Sequence, residues 1–117
     1  MDIVTAPDAV IRARALVLRD LESTGAADPD TVSALEAAVA DRGWWLEQWE
    51  EGRDFVVGLV AQDVQDALLD SHGRWPLCRA CDILDPHALY VQPDLGGPEP
   101  TWVCEQAGIV VAPVGGL

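Results

Sequence analysis

The stretch Cys78-Arg79-Ala80-Cys81, followed by Asp85-Pro86-His87 and then by Thr101-Trp102-Val103-Cys104, decides how the rest of the chain is read. Two cysteines separated by two residues let one tight turn present both sulfurs to a single ion. A tetrahedral Zn²⁺ site needs two further donors, at about 2.3 Å for sulfur and about 2.0 Å for nitrogen. Cys104 offers the third sulfur from a segment that reads as strand, turn and strand: Trp102-Val103-Cys104, then Glu105 to Gly108, then Ile109-Val110-Val111. His87 is the candidate fourth donor, because Asp85-Pro86 favours a turn before it and Ala88-Leu89-Tyr90-Val91 reads as a strand after it. The order is Cys-x2-Cys-x5-His-x16-Cys. A structural zinc held by Cys78, Cys81, His87 and Cys104 is therefore the expected cofactor. His72 in place of His87, or an open site with three cysteines, are the alternatives. His72 also suits the C-terminal end of a helix, where the dipole favours it.

Other uses of the same cysteines fit less well. A redox Cys-x-x-Cys pair opens a helix in a βαβ context. Here Pro76 precedes the pair and Asp85-Pro86 follows it. A disulfide would leave one of the three cysteines over.

The segment resembles a zinc ribbon, whose two knuckles read Cys-x-x-Cys-Gly on paired hairpins. Cys78 and Cys81 match the first knuckle. Cys104 and Gly108 match the second, but Ala107 stands where its last cysteine would be. The resemblance implies a small three-stranded antiparallel module, and the departure at Ala107 excludes a four-cysteine site. Trp75-Pro76-x-Cys78, His87-x-Leu89 and Trp102-x-Cys104 also resemble the tails of small actinobacterial proteins. That likeness covers about the last third of the chain and implies no activity.

The 117 residues suggest one domain, and half of them are apolar, as in a globular chain. A core of this size is thin, so a metal staple would help it. Twenty acidic residues face seven basic ones, all arginine, for a formal net charge of −13. Such a surface repels phosphate backbones and argues against direct nucleic-acid binding, which rests on Lys and Arg neutralising phosphates. No apolar run is long enough to cross a membrane, and the start Met1-Asp2-Ile3-Val4 lacks the pattern of a secretory signal. The expected location is cytoplasmic, where thiols stay reduced.

The region before the metal module reads as acidic and helical, over residues 1–73, with the β-module over 74–117 packed on it as one compact unit. Thr5 caps a first helix over about Ala6 to Ser23, with Val10, Ile11, Val17, Leu18 and Leu21 on its apolar face and Gly25 at its end. Asp28-Pro29-Asp30 starts a second helix to about Glu51, whose face Val32, Leu35, Val39, Leu46 and Trp49 continues across Gly43. Gly52-Arg53 then breaks the chain, and Asp54 caps a third helix to about Ser71. Asp63, Asp66 and Asp70 share one face of it and read as a solvated stripe. Helical spacing holds them apart, without the oxygen-rich loop that calcium needs. Trp75, Trp102 and Val110 are expected to pack the module against the helices.

Trp44 and Trp45 are adjacent and point about 100° apart, so one of them is expected in the core and the other at least partly exposed. Together with Trp49 they are candidate partner-binding residues, because tryptophan is enriched at binding hot spots. Covering a small core is the competing use. The expected fold is α+β: about three helices, then the three-stranded module.

The expected function is that of a small acidic, non-catalytic adaptor whose partner carries a basic or apolar patch. A homodimer through the apolar side of the third helix is expected if the module leaves that side uncovered. Two alternatives stand beside it: a zinc-dependent hydrolase with an open three-cysteine site, and a transcription or nucleic-acid accessory factor acting through a protein partner. The zinc-deaminase and His-Glu-x-x-His patterns are absent from the sequence.

Overall fold

The structure is a computed structural model and describes residues 6–94 and 97–117. It is α+β. Helix α1 spans Ala6–Ser23, α2 spans Pro29–Gln48, and a 3-10 helix over Glu50–Phe55 runs straight into α3, Val56–Leu69. An antiparallel sheet follows, made of β1 (Tyr90–Gln92), β2 (Thr101–Cys104) and β3 (Ile109–Pro113) in that order.

Helix α1 has the limits read from the sequence; its expected cap, Thr5, lies outside the described residues. At its end Gly25 takes a φ of +74°, and the Ala26 N–H reaches back to the Leu21 carbonyl at 2.8 Å. The buried face is Ala9, Ala13, Val17 and Leu21, one residue every four. The buried face is narrower than the apolar spacing suggests. Val10 and Leu18 lie at its edges, and Ile11 is 66% exposed. Two alanines on the inner face let the neighbouring helices come close.

Helix α2 begins with a reciprocal capping box. The Thr31 N–H donates to Asp28 Oδ1 at 2.8 Å, and the Asp28 N–H donates to Thr31 Oγ1 at 2.9 Å. The helix passes through Gly43 unbroken and ends at Gln48, short of the expected Glu51. Trp49, at φ −152°, closes it and is exposed, not part of the inner face.

The segment Gly52-Arg53 does not break the chain as the sequence suggested. It stays wound as a 3-10 helix, and no side chain caps α3, so Asp54 lacks the expected role. Gly52 is what permits this. A methyl group at Gly52 would lie 2.5 Å from Trp45 and 2.9 Å from Trp49, so only glycine lets the two rings cover the turn.

Helix α3 buries Val56, Val57, Val60, Ala61, Val64 and Leu68 against α1 and α2, whereas Ala67 is exposed. Of the three aspartates read as a solvated stripe, Asp63 instead forms a two-bond ion pair with Arg42, at 2.7 and 2.9 Å, which clips α3 to α2. Two glutamines of α3 hold the module by its backbone. Gln65 Nε2 donates to the carbonyls of Trp75 (3.0 Å) and Leu89 (2.8 Å), and Gln62 Nε2 donates to that of Asp94 (2.6 Å).

Trp75 and Trp102 enter the core edge to face, with ring centres 5.6 Å apart. Val110 does not join them. It is 65% exposed, because β3 is an edge strand whose register shifts against β2 between Trp102 and Val103. The first strand lies slightly later than expected, at Tyr90–Gln92, while Ala88 forms an isolated bridge with Leu77. Among the described residues no helix is long and apolar enough to cross a membrane.

Candidate metal centre

Three separate pieces of backbone bring the four expected donors together. The Leu77–Ala88 bridge, with the Cys78 N–H donating to the His87 carbonyl at 2.8 Å, sets the first knuckle beside His87. Strand β2 alternates, burying Trp102 and Cys104 on one face. Cys104 therefore leaves the sheet on the side where Trp102 enters the core.

One donor atom from each of Cys78, Cys81, His87 and Cys104 lies within 4.8 Å of the others. Cys78 Sγ and Cys81 Sγ are 3.7 Å apart. His87 Nε2 lies 3.3 Å from Cys81 Sγ and 3.4 Å from Cys104 Sγ. A tetrahedron with zinc-type bond lengths has edges of about 3.8 Å between sulfurs and about 3.6 Å between sulfur and nitrogen. The observed spacings fit those edges and are far too long for a disulfide. His87 and Cys104 are buried, and Cys78 and Cys81 are half-buried.

The surroundings orient each donor. His87 Nδ1 lies 2.7 Å from the Asp85 carbonyl, which can only accept, so Nδ1 carries the hydrogen and Nε2 faces the sulfurs. The Ala107 N–H donates to Cys104 Sγ at 3.4 Å, and Gly108 closes the turn at φ +68° with its N–H on the Cys104 carbonyl. Ala107 adds no side-chain donor to the group, and His87 is its fourth member.

The charges are arranged for a cation. Burial raises the Cys78 thiol, but the N–H groups of Ala80 and Cys81 and the neighbouring sulfurs outweigh it and bring the group down to about 7. At Cys81 the Ile83 N–H pulls downward, yet burial and the sulfurs of Cys78 and Cys104 leave the thiol above its usual value. The Asp85 carbonyl, then Cys104, hold the His87 proton up to about 8. Three sulfurs in contact cannot all ionise without a positive charge among them. A bound divalent ion would supply that charge, and the arrangement is compatible with metal binding.

His72, the alternative histidine, lies elsewhere. Its Nε2 is 3.3 Å from Asp28 Oδ2, at the start of α2. Asp28, Asp30 and His72 make a second group of potential donors, but all three are exposed and Asp28 is already the helix cap. Asp63, Asp66 and Asp70 do not converge on a site.

The two adjacent tryptophans divide only in part as expected, since neither enters the buried core and Trp45 packs against its edge. Trp44 is 65% exposed. Trp45 is half-buried, stands edge-on to Trp49 at 5.3 Å and lies under the Arg42 guanidinium at 5.4 Å. Trp49 in turn stacks on Phe55 at 6.0 Å. Trp44, Trp45 and the alanines Ala34, Ala37, Ala38 and Ala67 line a groove of about 640 Å³ with Asp41 and Asp66 among its walls.

Sequence reasoning missed Asp20, which is fully buried and anchors the module. It accepts from Trp102 Nε1 at 2.8 Å, from the Gly115 N–H at 2.6 Å and from the Leu117 N–H at 2.9 Å. Its signal was an acid three residues after Val17 and one before Leu21, on the apolar face of α1. Trp75 Nε1 makes a parallel bond to Thr24 Oγ1 at 2.9 Å.

No curated protein and no solved structure matches the chain. The match to a family runs across the whole fold instead of the C-terminal module alone, and takes in all four converging donors. The chain belongs to the family described as Domain of unknown function (DUF8819), whose model matches residues 6–114.

Proposed function

We propose that Cys78, Cys81, His87 and Cys104 hold one structural zinc ion, and that the protein serves as a small acidic adaptor without catalytic activity. The observation that carries this reading is the closed donor set. Three sulfurs and one nitrogen at tetrahedral spacing leave no corner for the water that a catalytic zinc keeps. Soft thiolates with an imidazole favour zinc over magnesium or calcium, which take oxygen donors. A reducing compartment such as the cytoplasm keeps the three thiols available.

The adaptor part rests on the groove beside Trp44. An exposed indole over an alanine floor, flanked by Asp41 and Asp66, suits a partner that brings an apolar side chain with a basic one. The overall charge of −13 suits the same partner and disfavours nucleic acid.

The metal content of protein purified without added metal tests the first part. One zinc per chain is expected, lost or much weakened in His87→Ala. A full equivalent retained unchanged in His87→Ala would remove the closed site and with it the structural reading. For the second part, titration with an amphipathic peptide of leucine and lysine should quench Trp44 fluorescence, with Trp44→Ala weakening the binding. Equal binding by Trp44→Ala would rule out the groove.

A further inference from the structure

A second cavity lies beside the first cysteine turn, between the end of α1, the loop after α3 and strand β3. Its volume is about 410 Å³, within the range of small-molecule sites. Trp75, Leu77, Leu89 and Val111 give it an apolar lining, and Arg74 and Arg79 stand in its wall. No aspartate or glutamate is among the described residues that line it. In a chain with twenty acids and seven arginines, Arg74 and Arg79 are thus the charged side chains among the residues that line it.

The two arginines are also available. Arg14 and Arg42 are occupied by Glu36 and Asp63. Among the described residues, Arg74 makes only a long contact, 3.5 Å, to the Pro86 carbonyl, and Arg79 forms no ion pair or hydrogen bond. Both are exposed and come from backbone that is held in place. Arg79 lies between Cys78 and Cys81, where the N–H groups of Ala80 and Cys81 turn toward Cys78 Sγ. Arg74 precedes Trp75, whose indole is tied to Thr24 and whose carbonyl is tied to Gln65. Two arginines among the residues lining an apolar cavity match an anionic oxygen headgroup attached to an apolar body.

We propose that this cavity binds a small organic anion, its apolar body against Trp75, Leu89 and Val111 and its carboxylate or phosphate held by Arg74 and Arg79. The site is independent of the groove beside Trp44. It does not depend on which metal the knuckle holds.

The probes are 2-naphthoate and 2-naphthyl phosphate, with uncharged 2-naphthamide as the matched control. Binding is read from the indole N–H signals of the five tryptophans in ¹⁵N-labelled protein. One or both anions should shift the Trp75 signal saturably while Trp44 and Trp49 stay in place, and the tighter of the two identifies the headgroup. Arg74→Gln and Arg79→Gln should each weaken binding about tenfold, and the amide should bind at least about tenfold more weakly than the anion. Arg12→Gln is the surface control and should change nothing. The dispersed indole signals show in the same spectra that each variant is folded. A saturable shift from neither anion, equal binding of the amide, or unchanged affinity in both cavity variants would overturn the proposal.

Discussion

The carboxylate of Asp20 accepts the indole N–H of Trp102 at 2.8 Å, across 82 residues of chain. The same carboxylate takes the N–H groups of Gly115 and Leu117, so one acid in the last turn of α1 fixes both the central strand and the tail. A charge removed from water is tolerated only when donors surround it, and here three do. Gly115 lets the tail come this close. It sits at φ +97°, and a methyl group there would run into Leu16. Gly115 is thus explained by packing.

Asp20→Ala should therefore cost far more than an ordinary acidic substitution. It leaves the Trp102 indole and two backbone N–H groups buried without an acceptor, at about 3–5 kcal/mol in total. Urea unfolding of the variant reads this directly. A loss below about 1 kcal/mol would show that water replaces the carboxylate and that the anchor carries little energy.

His87 should titrate near 8 in the reduced, metal-free chain, above its ordinary 6.5, because the Asp85 carbonyl and Cys104 retain its proton. A raised folded value means that the contribution to stability is complete below about 6.5 and is lost as pH rises through about 8. Metal binding has the opposite slope, since the ion must displace that proton. The chain has two histidines, so the His87 imidazole signals can be followed directly as pH is varied. Zinc should abolish the His87 titration. An ordinary value at His87 would contradict the geometry around Asp85.

Much of this was legible in the sequence, for physical reasons that differ by element. The limits of α1 and the start of α2 follow from local chemistry: glycine at a left-handed terminus, and an aspartate before a proline. The four donors follow from spacing and from the turn at Asp85-Pro86. The 3-10 helix was hidden because Gly52, Arg53 and Asp54 look locally like a break and a cap, while two distant rings decide the outcome. Asp20 and Gln65 were hidden because a polar residue on a helix reads as solvated until its partners are known. Ile11 and Val110 show the reverse error, since apolar type does not guarantee burial.

Two glycines give opposite predictions. Gly52→Ala places a methyl group inside the Trp45 and Trp49 rings, and should destabilise by about 2 kcal/mol while disturbing the Trp49 environment. Gly43→Ala meets nothing within 4 Å in the middle of α2, and should stabilise by about 0.5–1 kcal/mol. Thermal unfolding of both variants checks the pair. Similar values for the two would mean that the rings do not pack over the turn as described.

Removing metal from the loaded protein should weaken the whole fold and not only the module. Trp75, Leu89, Val91, Trp102 and Cys104 belong to the same buried cluster as Val17, Leu35, Leu46 and Val64, so the helices have no separate core to fall back on. Losing the module would expose Trp102 and strip the donors from Asp20 at the same time. Chelation should lower the melting temperature by at least about 10 °C. The tryptophans divide the reporters: Trp44, Trp45 and Trp49 lie at the end of α2, and Trp75 and Trp102 lie in the module. All five indole signals should lose their dispersion over one transition. If Trp44, Trp45 and Trp49 outlasted the other two, residues 1–73 and 74–117 would be separable units and the shared core would count for little.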